Sequence, residues 1–171
     1  MMDWYMKNLA WFLMSDRQLH EELLKMAEPR PAADWSIVDR MMRPKEWLFG
    51  LGSFSPSETI IVYGFGDGSH IMYLMERLNE RGHLIVVIPD VPEFLELLHI
   101  ADMEEVLADP RFHPVIIGLN NAMLMHYLSV LFTRQSILRA KTFILPEYDT
   151  AYPEGLTYLD HAVEIAEQWI R

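Results

Sequence analysis

The chain has 171 residues, 51% of them hydrophobic and 23% charged, with a formal net charge of -11. That length suits one domain with a substantial core and is too short for two comfortable ones; the composition is that of a globular protein rather than a disordered one. With 14 Lys and Arg against 25 Asp and Glu, neither nucleic acid nor an anionic membrane surface is an expected partner.

Cysteine is absent, which removes disulfides, thiolate metal sites and thiol nucleophiles. No apolar run reaches the length that spans a bilayer, so membrane insertion is not expected. Met1–Lys7 lacks the basic start and small-residue cleavage pattern of a signal peptide, and the expected compartment is the cytoplasm.

In chain order, Trp4, Leu9, Phe12 and Leu13 recur near helical spacing. Ser15-Asp16-Arg17-Gln18 offers a capping-box start for a second helix with Leu19, Leu23 and Met26 on one face, ending before Pro29-Arg30-Pro31. The run through Trp35, Ile37, Val38, Met41 and Met42 has no assigned structure. Pro44 opens a short helix carrying Trp47, Leu48 and Phe49, and Gly50 to Ser57 is a loop.

From Thr59 the pattern changes. Thr59-Ile60-Ile61-Val62-Tyr63 and Leu84-Ile85-Val86-Val87-Ile88 are short apolar runs, the mark of parallel strands buried on both faces. Between them lie a glycine loop and a helix from about Ser69 to Asn79. A helix starts near Pro92 and runs towards Leu107, kinked or broken near Ala101-Asp102. Val115-Ile116-Ile117 is a third strand, followed after Asn120-Asn121 by a long helix to about Leu138. Thr142-Phe143-Ile144-Leu145 is a fourth strand, and a terminal helix carries Leu159, Val163, Ile165, Ala166 and Trp169. The rhythm predicts an α/β fold: a Rossmann-like three-layer sandwich with a mainly parallel sheet of about four or more strands. Residues 1–57 form a helical extension packed on the 58–171 core, one structural domain overall.

The loop Gly64-Phe65-Gly66-Asp67-Gly68 stands between the first strand and its helix, where backbone amides and a helix N-terminus receive anions. Ser69 replaces the last glycine of the dinucleotide fingerprint. The G-x-G-x-G spacing is closer to class I methyltransferases, which bind S-adenosylmethionine. In that reading the acid after the second strand is Asp90, displaced from Ile88, and Asn120 meets the adenine. Asp67 repels phosphate. Against all of these, the glycines serve equally well as a tight strand-to-helix turn with positive φ. His70 sits on the first turn after the loop. Tyr148, Asp149 and Tyr152 cluster past the fourth strand, at the carboxyl edge where open sheets place ligands.

The candidate ligand-binding set is therefore Gly64, Phe65, Gly66, Asp67, Gly68, Ser69, His70, Asp90, Asn120 and Tyr148, with no catalytic residue. The seven His are scattered over different elements without metal-ligand spacing, so no metal site is assigned. Glu93, Glu96, Glu104 and Glu105 read as solvated helix faces. The Met residues read as core filler or an adaptable contact surface.

The run Ile61 to Ile71, then Leu84 to Leu95 and Leu107-Ala108-Asp109-Pro110-Arg111-Phe112, resembles the N-terminal domain of the motility-associated factor (Maf) proteins, bacterial flagellin glycosyltransferases. In that domain a loop G-F-G-x-G-[YS]-H precedes a helix, a strand ends in E-P-D, and L-x-D-P-R follows. Leu145-Pro146-Glu147-Tyr148 and Tyr152-Pro153-Glu154 resemble its closing strand and proline–tyrosine loop, and Lys7-Asn8-Leu9 its opening. Ile88 departs from the glutamate of E-P-D. The transferase's central domain, related to a family named after a pterin pyrophosphokinase and carrying a G-P-S-type loop, has no counterpart in these residues.

The resemblance thus implies an accessory or interaction domain of flagellin glycosylation and motility, non-catalytic alone, either a segment of a longer protein or a stand-alone relative. The Met- and Trp-rich N-terminal helices offer a surface for a second copy in a homo-oligomer or for a flagellar glycosylation partner. The alternative is an S-adenosylmethionine-binding methyltransferase-like protein. A sugar nucleotide is a third ligand class, disfavoured by Asp67 and by the scarcity of Lys and Arg near the loop.

Overall fold

A computed structural model of the chain describes residues 2–27, 33–40 and 54–170. The elements are α1 (Tyr5–Ser15), α2 (Arg17–Lys25), α3 (Ser36–Arg40), β1 (Thr59–Tyr63), α4 (Ser69–Arg77), β2 (His83–Ile88), α5 (Val91–Ile100), α6 (Glu104–Leu107), β3 (Phe112–Ile116), α7 (Met123–Leu131), α8 (Arg134–Leu138), β4 (Thr142–Ile144), α9 (Tyr148–Ala151) and α10 (Pro153–Trp169). The Pro29-Arg30-Pro31 connection, Met41 and Met42, the Pro44 helix and the start of the Gly50–Ser57 loop fall outside the described residues.

The four strands are all parallel, in the order β3-β2-β1-β4. This is the α/β Rossmann-like sandwich that the strand–helix rhythm predicts. Ile60 to Tyr63 and Leu84 to Ile88 are buried, as strands covered on both faces must be. Right-handed crossovers put α4 and α5 on one face and the long return from β3 to β4 on the other. The order reverses between β1 and β4, so the crevice of a doubly wound sheet opens at their carboxyl ends. Backbone pairing continues past the strands into that region, with Gly64 N donating to Val87 O at 2.8 Å and Leu145 N to Tyr63 O at 3.0 Å.

Several boundaries differ from expectation. The single helix expected to run to Leu138 is two, because Phe132 is extended and Thr133 starts a new helix in a reciprocal capping box with Ser136. Asp16, not Ser15, caps α2, its carboxylate accepting Leu19 N at 3.0 Å. The third strand begins three residues earlier than expected, at Phe112. Between β4 and α10 the segment with Tyr148 contains a helical turn, and Pro153 is the first residue of α10, where its missing N–H costs nothing.

The helix beginning near Pro92 does break at Ala101, and the break has a partner. The Asn8 side chain, buried on α1, donates to Leu98 O (2.8 Å) and Ala101 O (2.7 Å) and accepts from Met103 N (3.0 Å). One amide satisfies the backbone groups stranded between α5 and α6. Tyr5 adds a second anchor: its ring stacks on His99 at 4.2 Å and its hydroxyl donates to Leu23 O at 2.7 Å. Among the described residues, no helix is long and apolar enough to cross a membrane.

Replacing Asn8 with Ala strands two carbonyls and one N–H in the interior. The expected cost is about 2–4 kcal/mol, read as a fall in unfolding free energy by urea titration; a change within error would mean that Asn8 does not hold the α5–α6 break.

Candidate functional site

The glycine loop leaves β1 at the point where the sheet order reverses. Gly64, Gly66 and Gly68 all have positive φ (105°, 56° and 82°). At Gly64 the need is steric as well as conformational, because a Cβ there would run into the Tyr148 ring and Leu145. The loop therefore packs against the chain segment that follows β4.

Its amides do not face an open crevice. The Asp90 carboxylate, fully buried, accepts from Phe65 N (3.2 Å) and Gly66 N (2.7 Å), and from the Tyr148 hydroxyl (2.9 Å). A carboxylate of the chain itself thus stands where a ligand's anionic group would lie in a phosphate-binding loop. Asp90 can reach because it lies two residues beyond Ile88, the end of β2, as the residue preceding α5. Burial lifts its pKa from 3.8 to about 6, against the pull of the three hydrogen bonds. Burial also raises the Tyr148 phenol, with Asp90 adding to the effect, so Tyr148 remains a donor at neutral pH.

The remaining candidates turn away from a common centre. Phe65 enters the core, edge-on to Phe94 at 4.8 Å. Asp67 closes an exposed turn onto Ser69, accepting from its N–H (3.0 Å) and hydroxyl (2.6 Å). His70 is buried, and its Nε2 donates to Gly64 O at 2.9 Å; burial pushes its pKa down to about 4, so it is a neutral brace for the loop. Asn120 spends its amide on β3, accepting from Ile116 N (2.6 Å) and donating to Pro114 O (3.0 Å). On the outer side of the loop a groove of about 220 Å³ has Phe65 and Met72 in its lining and Asp67, Asp102 and Glu105 among its polar groups, a charge pattern that repels anions.

Two features escape sequence reading. Glu93, expected on a solvated face, is 3% exposed on the first turn of α5, and its Oε1 accepts from Asp34 N at 2.9 Å. Glu96, expected beside it, is half-buried and accepts from the Trp35 indole at 3.3 Å. With the Arg40–Glu147 ion pair at 3.2 Å, these contacts lay residues 33–40 across the carboxyl edge of the sheet. An acid two residues into a helix is ordinary at an N-terminus, so no local signal marks Glu93 as buried. The second feature is a pair: His83 Nδ1 and His113 Nε2 meet at 2.9 Å, at the amino ends of β2 and β3 and so at the opposite edge from the loop. Among the described residues, no three His, Asp or Glu are placed to hold a metal.

No family model, curated protein or solved structure matches the chain.

The raised pKa of Asp90 sets a sign. The folded state binds this proton more tightly than the unfolded chain, so Asp90's contribution to stability is fully present below about pH 4 and is lost as pH rises through about 6. Urea titrations of the wild type and Asp90→Asn across that window should show the wild type losing ground to the variant as pH rises. Parallel pH profiles would contradict the buried titration of Asp90.

Proposed function

We propose that this chain is an accessory domain of a flagellin-glycosylation system, non-catalytic in itself, that associates through the outer face of α1. The glycosylation context rests on the Maf-like loop and the D-P-R stretch quoted above. The observation that carries the association is that α1 leaves large apolar side chains exposed beyond its buried face. Tyr5, Leu9 and Phe12 are buried, while Met2, just ahead of the helix, and Met6, Leu13 and Met14 are exposed, Met6 and Leu13 flanking the buried face and Met14 turned away from it at 89%. Such a set offers a few hundred Å² of apolar surface, the size of patch that marks an interaction site. An apolar helix surface can pack against its own copy across a two-fold axis, and the occupant proposed is a second copy of this chain. The inward Asp90 supports a non-catalytic reading, since the loop donors that would orient a substrate anion are already engaged.

Size-exclusion chromatography with light scattering should give twice the 20.1 kDa chain mass, and Met6→Glu with Met14→Glu should give the monomer at unchanged circular dichroism. A wild-type monomer at micromolar concentration rules out the association. The glycosylation context has its own test: deleting the gene should lower the intact mass of flagellin by its glycan, and an unaltered flagellin mass ends that part of the proposal. The alternative, S-adenosylmethionine binding, requires Asp90 to leave the loop amides. Calorimetric titration with S-adenosylmethionine should give no heat, and a saturable heat would shift preference to the methyl-donor reading.

A further inference from the structure

Glu93 Oε2 is buried and has no hydrogen-bond partner among the described residues, although Oε1 of the same carboxylate is satisfied by Asp34 N. An ionised carboxylate taken out of water is normally paired, because its desolvation is otherwise uncompensated. Among the described residues, the neighbouring side chains are mostly acidic, with Arg40 the cation that acts on Asp34. Asp90 lies one turn earlier at the head of α5, Glu96 one turn later, and Asp34 on the crossing segment. The Tyr152 phenol is raised to about 12, by burial first and then by Glu93, Asp90 and Asp34 in turn. Among the described residues, the ion pair at this edge is Arg40 with Glu147, so that guanidinium is engaged. The α5 dipole contributes roughly half a positive charge at its N-terminus, too little for two buried carboxylates.

We infer that Glu93, beside Asp90 and Tyr152, anchors a binding site for the primary ammonium or guanidinium group of a small organic cation. The missing group must donate to Oε2 and carry positive charge. A phosphate or carboxylate ligand fails on charge, and a neutral hydroxyl satisfies the oxygen without offsetting it. A divalent metal wants several oxygen ligands, and no group of three candidate ligands is present among the described residues. Entry requires residues 33–40 to lift. They are held by the Asp34–Glu93 and Trp35–Glu96 hydrogen bonds and by an exposed Arg40–Glu147 pair, which contributes little. The site is at the head of α5, whereas α1 packs at its tail, so it stands or falls separately from the proposed association.

The test uses agmatine, which carries both cationic groups, on the full chain at neutral pH, with tetramethylammonium at equal ionic strength as a cation that cannot donate. Agmatine should raise the Tm by a few degrees and shift the amide signals of Asp34 and Glu93, while tetramethylammonium should do neither. Glu93→Gln should keep its fold, unfold at a temperature no lower than wild type, and lose the agmatine response. An equal response to tetramethylammonium or to Mg²⁺, a response retained in Glu93→Gln, or no response in the wild type each overturns the inference. Should Glu93→Gln fail to fold, the wild-type amide shifts decide: shifts confined to other residues also overturn it.

Discussion

The organisation of the carboxyl edge depends on one constraint, that Asp90 meets the hydrogen-bond demand of the glycine loop from within the chain. Two loop amides and one phenol converge on a single buried carboxylate. Each donor is removed from water, so leaving any of them unpaired is costly. The carboxylate is itself fully buried, and that burial raises its pKa. Loop, β2 terminus and β4 exit are therefore fixed relative to one another, and the shape of the crevice follows from that contact. The usual logic of a Rossmann-like sheet, in which the loop waits for an anion, is replaced by an internal counterpart, and the charge balance of the edge turns acidic.

Much of the fold was legible in the sequence because buried parallel strands leave a strong signal. Thr59 to Tyr63, almost wholly apolar, and Leu84 to Ile88, wholly so, are short runs bounded by turn residues, and both are strands in parallel register. Glycine spacing located the loop and its positive φ values. Helix ends were less legible: the break at Phe132-Thr133 depends on a reciprocal Thr133–Ser136 cap inside an otherwise apolar stretch. The direction of Asp90 could not be read, since its two-residue offset from the strand end fits either an outward or an inward carboxylate. The burial of Glu93 is not legible locally because it comes from residues 33–40, almost sixty positions away, crossing above it.

The N-terminal helices show how one polar side chain substitutes for local propensity. The stretch from Val91 to Leu107 could have continued as one helix, and Asn8 supplies the partners that let it end and restart. The same helix keeps Tyr5 against His99, whose Nδ1 pairs with Asp3 at 2.9 Å. The extension is thus bonded into the core through backbone groups, and its outward methionines are presented on a rigid platform.

The wedge of Tyr148 over Gly64 has a consequence for the order in which the molecule assembles. Asp90 is 24 residues from Gly66 but 58 from Tyr148, and β4 pairs with β1 across a still longer stretch. Loop closure of that length is unfavourable until the contacts it permits have formed. During synthesis, β1, the loop and β2 leave the ribosome well before Tyr148, so the newly made half-sheet carries an uncapped loop. The segment around Tyr148 completes the polar contacts of the loop only after it has emerged, so a copy still lacking it differs from one that carries it at that spot.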